Sequence, residues 1–113
     1  MNSILNSIKK MLGIEIDDNS FDTDIIFNIN AAIMILTQLG IGNDSGFFIS
    51  DDSAVWSDLI GDSKRIEAAK MYVYLKVRLS FDPPTSSAVL ESINRQLDEL
   101  AWRLSIQADT GGE

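Results

Sequence analysis

Histidine and cysteine are both absent from this chain of 113 residues. Without cysteine there is no disulfide and no thiolate metal site. Without histidine the commonest general base and the commonest metal ligand are missing. A serine or cysteine hydrolase triad has no imidazole to work with. Only lysine-based dyads and all-carboxylate sites stay open to catalysis. Long hydrophobic runs are lacking too. The longest apolar-rich stretch, Ile25 to Leu39, is broken by Asn28, Asn30, Thr37 and Gln38, which excludes a membrane span. The opening Met1-Asn2-Ser3-Ile4-Leu5 mixes apolar with polar residues, and Lys9 and Lys10 follow the apolar ones. A signal peptide has the reverse order. The expectation is a cytoplasmic protein, in its own cell or in an infected host. Proline is scarce, with two residues side by side at Pro83 and Pro84.

What is present is apolar and helix-forming. Apolar residues make up 45% of the chain. That is enough for one ordered domain hiding roughly two-thirds of the surface its unfolded chain exposes. The net charge of −8 is unevenly placed. Residues 1–62 hold ten acids and two lysines, a net −8, and residues 63–113 hold seven acids and seven bases, a net zero. Such a chain repels phosphate backbones and is a poor direct DNA binder. Its acidic half serves solubility or meets a basic protein surface.

Periodicity predicts four main helices. Ile4, Leu5, Ile8, Met11 and Leu12 recur on one face of a helix over residues 2–12, capped by Asn2 or Ser3 and ended by Gly13. A longer helix starts near Phe21 or Asp22 and stops at Gly40. Its stripe is Ile25, Ile26, Ile29, Ala32, Ile33, Leu36 and Leu39, and Asp22 and Asp24 suit the positive end of its dipole. Residues 53–60, with Val55, Trp56, Leu59 and Ile60, read as one or two helical turns capped by Ser53 and ended by Gly61. The third long helix spans 63–81, capped by Asp62 or Ser63. Its inward face is Ile66, Ala69, Val73, Val77 and either Leu75 or Leu79. Tyr72 to Leu79 also alternates locally like a strand, but the length of the segment favours helix. Phe81-Asp82-Pro83-Pro84-Thr85-Ser86 is a firm break. The last helix follows Ser86 or Ser87, with the stripe Val89, Leu90, Ile93, Leu97, Leu100, Ala101 and Leu104. Glu91–Arg95 and Glu99–Arg103 are i, i+4 pairs along it. The fold class is therefore all-α, a small bundle of about four main helices with an irregular central loop. Residues 1–106 are read as one domain and 107–113 as a mobile tail.

That central loop, residues 40–52, is rich in glycine and carries Phe47, Phe48 and Ile49, which could form a short extended stretch. Its aromatics either pin the loop to the core, the favoured reading, or insert into a partner. Trp56 and Trp102 are the two largest side chains, and each belongs by default to the core. Trp102, beside Arg103 near the end of the last helix, is the one drawn towards an interface. The candidate interface residues are Phe47, Phe48, Trp102, Arg103 and Gln107. The acids between Asp17 and Asp24 are a poor calcium loop. An EF-hand starting at Asp18 needs glycine where Thr23 stands and glutamate where Ile29 stands. Capping and dipole compensation account for those acids, and solvation or capping accounts for Asp51-Asp52. Lys64, Arg65, Lys70, Lys76 and Arg78 give one helix a modest basic side, read as a solvated face or a seam pairing with a neighbouring subunit's acids. No phosphate-binding loop, dinucleotide fingerprint or nucleophile elbow occurs. No cofactor, metal site or catalytic residue is assigned.

Six segments follow one another along the chain: Ser3 to Ile14, Phe21 to Ile26, Gly46 to Asp51 followed by Val55-Trp56, Ala69 to Leu79, Phe81-Asp82-Pro83-Pro84-Thr85-Ser86 and Glu99 to Leu104. In this order they resemble the head-tail connector (adaptor) proteins of siphophages and prophages. The likeness covers nearly the whole chain, to about residue 107. It implies a non-enzymatic helical adaptor of the virion neck, made in the host cytoplasm. Such proteins form a homo-oligomeric, usually dodecameric, ring beneath the portal protein and join it to a stopper or tail-completion protein. The genome DNA passes through the bore without specific binding, and no membrane is involved. The C-terminal segment of such proteins commonly reaches the portal, which makes the stretch after Ile106 a candidate contact. The alternative from the residues alone is an acidic, antitoxin-like regulatory module that covers a basic protein surface.

Overall fold

The computed structural model describes residues 3–40, 47–60 and 63–111, except for the side chains at 63–64 and 106–111. Five helices follow in order: α1 Ile4–Leu12, α2 Asp22–Gln38, α3 Trp56–Leu59, α4 Ser63–Phe81 and α5 Ser87–Gly111. Among the described residues there is no strand. An isolated antiparallel bridge joins Ser3 to Val55.

The helix boundaries follow local chemistry. The Ser3 hydroxyl accepts the Asn6 amide at 3.2 Å at the start of α1, which satisfies one of the amides a helix start leaves open. Gly13 takes φ 82° at its end, and its amide donates to the Lys10 carbonyl at 3.1 Å. Only glycine adopts that left-handed turn at no steric cost. Gly40 does the same after α2, with φ 88°. The expected Ser53 cap of α3 is replaced. Val55 is the cap residue, and its amide donates to the Asp58 carboxylate at 3.0 Å. Ser53 instead turns its amide and hydroxyl onto Asp51. The α5 backbone is helical through Gly111. The expected caps and stops at Asn2, Gly61 and Asp62 lie outside the described residues.

α4 is the central helix, packing against each of the other four. Ala69, Tyr72, Val73, Leu75 and Val77 are buried along it, covering more than half of its circumference at 100° per residue. The Phe21 ring meets the Phe81 ring edge-on, centroids 5.4 Å apart. The start of α2 therefore lies at the end of α4, and the two helices run antiparallel. α2 contributes Ile25, Ile29, Ala32, Ile33 and Leu36 to the core, and α1 contributes Ile4, Leu5 and Ile8. Burial raises the Tyr72 phenol above its ordinary pKa, and the nearby Asp98 carboxylate on α5 adds to the effect.

The two tryptophans part company. Trp56 is buried, and its indole N–H donates to the Ser7 hydroxyl at 3.2 Å, tying α3 to α1. Trp102 is 65% exposed on α5. The inward stripe of α5 also begins later than its periodicity suggests. Ile93, Leu97 and Leu104 are buried, whereas Val89 and Leu90 stay exposed. The first turn of α5, which follows Pro83 and Pro84, is therefore less covered than the turns after it.

One contact crosses the first half of the chain. Lys9 is fully buried, and its ammonium lies 2.8 Å from the Asp22 carboxylate and donates to the Ile16 carbonyl at 2.8 Å. The Asp22 oxygen lies off the line of a well-formed hydrogen bond, so charge is the main attraction. This pair fixes the 13–21 connection between the end of α1 and the start of α2. A buried ammonium is tolerated only when paired and hydrogen-bonded in this way.

Candidate interaction surface

α2 is apolar on both sides. Its inward stripe fills the core, and a second stripe, Phe27, Ala31 and Met34, points away from it. Phe27 is 73% exposed and Met34 61%. An all-round apolar helix is normally enclosed, so an uncovered one asks for a partner.

The central loop completes this surface. Asn30 on α2 reaches the loop with both ends of its side chain. Its Nδ2 donates to the Ile49 carbonyl at 2.9 Å, and its Oδ1 accepts the Ile49 amide at 2.7 Å. The amide thus pairs with backbone as a neighbouring strand would. Ile49 is thereby sunk into the core, Phe47 packs half-buried against it, and Phe48 stands 76% exposed. Phe47 to Ile49, read from the sequence as a short extended stretch, form no strand, and the Asn30 side chain takes the Ile49 backbone bonds. Pinning and presentation therefore coexist. Ile49 and Phe47 hold the loop, and Phe48 is displayed.

Phe27, Asn30, Ala31, Met34, Thr37, Gln38, Phe47 and Phe48 line an open groove of about 490 Å³. No charged side chain lines it. A second, more polar depression shares Phe27 and is lined also by Phe21, Asp24, Asn28, Ser80 and Phe81.

The remaining sequence candidates lie elsewhere. Trp102 and Arg103 are exposed on α5, and Arg103 Nη2 lies 2.7 Å from Glu99 Oε1. The structure brings neither to the groove. Gln107 belongs to α5 in its backbone, and its side chain is outside the described residues. Phe27, Met34 and Asn30 were not among the candidates, although the first two were legible. They recur seven apart on the face opposite the isoleucine stripe, a second periodic signal hidden behind the stronger one. Asn30 carried no local signal, because its partner is 19 residues away.

The surface offers little chemistry beyond contact. Asp18 accepts the Ser20 amide at 3.1 Å, and Asp51 accepts the amide and hydroxyl of Ser53. These bonds hold both carboxyls below the usual aspartate range, chiefly through the Ser20 backbone for Asp18 and the Ser53 hydroxyl for Asp51. The acids thus stabilise turns in their own loops, and Asp22 is committed to Lys9. Among the described residues no group of three or more acidic side chains is placed to hold a metal ion. No helix among them is long and apolar enough to cross a membrane.

Compared with known proteins, the chain matches one family model, described as phage connector protein, over residues 4–111. No curated protein and no solved structure matches it.

Proposed function

This chain belongs to the phage connector protein family, and from that premise we propose that it is a ring-forming adaptor of the virion neck. The family gives it a structural, connecting role in a phage particle. In the finer reading, copies assemble beneath the portal protein of the filled head and hand on to a stopper or tail-completion protein. The genome passes through the bore, and no step of the work is catalytic. Phe48 faces a neighbouring protein, with Phe47 lining the groove beneath that contact, and Trp102, Arg103 and the following turns of α5, including Gln107, dock on the portal.

The observation that carries this reading is the uncovered apolar face of α2 together with the Phe48 loop. Phe48, Phe27 and Met34 are, with Trp102, the most exposed large apolar side chains among the described residues, and a cluster of them is costly unless something covers it. The acidic balance also suits a conduit that DNA slides through without sticking.

The test is to mix purified chain with portal-bearing heads and follow the mass by light scattering and the shape by electron microscopy. The expected result is a ring of chain copies on the portal vertex. A strict monomer at high concentration that ignores the portal would sink the proposal. Capture of a basic, nucleic-acid-binding protein instead would favour the antitoxin-like alternative.

A further inference from the structure

The groove on α2 needs an occupant, and the same chain carries a surface that fits it. A ring built from one repeated contact requires two different patches on each copy, one meeting the other on the next copy. The groove is one such patch. The second lies across α1 and α4, where Met11 and Met71, 37% and 40% exposed, sit together with Lys10 and Lys70. Through Met71 it continues to Leu100 on α5. The two patches share no lining residue.

Their charges are complementary. Between Lys10 and Lys64 the sequence has acids and no lysine or arginine, so α2, the central loop and α3 contribute no cation of their own. Asp24 is exposed and lines the depression that shares Phe27 with the groove. The methionine patch holds Lys10 and Lys70, with Glu67 3.3 Å from Lys70. Lys10 is exposed.

We propose that the groove formed by Phe27, Met34 and Phe48 on one copy receives the Met11–Met71 patch of the next, head to tail. This rests on the ring-forming reading and adds which surfaces meet. Thioethers against exposed phenylalanine rings are a favourable and adaptable contact. Asp24 beside the groove and Lys10 beside the methionines set the orientation and speed the encounter. A same-to-same contact would instead close a two-fold dimer and not a ring.

Because the chain has no cysteine, single introduced thiols report cleanly. Met34→Cys and Met71→Cys proteins are prepared separately, mixed on portal-bearing heads and treated with a short bis-maleimide. The expected result is a covalent dimer in the mixture and in neither protein alone. The double variant should give a ladder of multimers. Self-linking of Met34→Cys alone would overturn the proposal in favour of a symmetric contact. Multiple copies on the heads with no link in the mixture would overturn the pairing and leave the connector reading standing. A chain that neither binds heads nor oligomerises removes both. As a second readout, Phe48→Asp and Met71→Asp should each release copies from the ring while far-ultraviolet circular dichroism shows the helices intact. Retention of the ring by both variants also overturns the pairing.

Discussion

α2 and α5 are both long helices packed along α4, yet they present opposite outward faces. On α5 the exposed side carries Glu91, Arg95, Asp98, Glu99 and Arg103, with Trp102 as the large apolar residue among them. On α2 the exposed side carries Phe27, Ala31 and Met34. Both helices obey the same inward rule, a stripe at three- and four-residue spacing against α4. The difference therefore lies in what each helix is built to meet on its other side. The outer face of α5 is chiefly a water-facing surface with one aromatic anchor. The outer face of α2 is an exposed apolar surface with no charge along the groove.

The sharpest way to break that contrast is to cut each face of α2 in turn. Ile33→Ala, in the fully buried stripe, should cost about 3–4 kcal/mol by denaturant unfolding, as large-to-small core changes do. Phe27→Ser on the exposed face should leave stability within about 0.5 kcal/mol and act on assembly instead. Equal stability losses would mean that the outer stripe is part of the core.

Next in size is the clasp between α1 and α2. Asp22→Asn strands the buried Lys9 ammonium without a counter-charge and should cost about 3 kcal/mol. Lys9→Met removes the buried charge and leaves Asp22, which is about a quarter exposed, to be hydrated. Its cost should be smaller. Chemical unfolding of the two variants side by side checks the ranking, and the reverse order would show that Asp22 is the more deeply committed partner.

Asn30→Ala tests the loop that extends the α2 surface. It leaves the Ile49 backbone groups without their partners and should cost about 1–3 kcal/mol. Amide exchange at Ile49 should accelerate, whereas that of the buried Val73 on α4 should change little. Unchanged exchange at Ile49 would show that Phe47 and Ile49 hold the loop by packing alone.

The smallest effect belongs to the α5 face. Arg103→Ala breaks an exposed i, i+4 pair and should cost less than about 0.5 kcal/mol. Thermal unfolding at low and high salt should barely separate the variant from the parent. A loss above about 1 kcal/mol would mean that Arg103 packs against α5 and α4 with its stem, and the contrast between the helices would narrow.

Much of the architecture was already written in the chain. The isoleucine stripe of α2, the valines and Ala69 of α4, and the stops at Gly13, Gly40 and Pro83-Pro84 are local signals. They depend on spacing, on φ and on a missing backbone donor, and each is decided within a few residues. Resemblance over several short segments also pointed to the connector family that the match over residues 4–111 establishes.

Other features needed neighbours far away in sequence. Phe47 and Phe48 are adjacent and chemically identical, and only the Asn30–Ile49 pairing decides that one packs and the other is displayed. Trp56 is buried because α1 offers Ser7 and α4 offers a flank, whereas Trp102 faces outward from α5. Lys9 is buried because Asp22 and the Ile16 carbonyl meet it there. Local spacing fixes which residues share a face of a helix. Whether that face is covered depends on non-local packing, and for α2 that packing leaves the second face open.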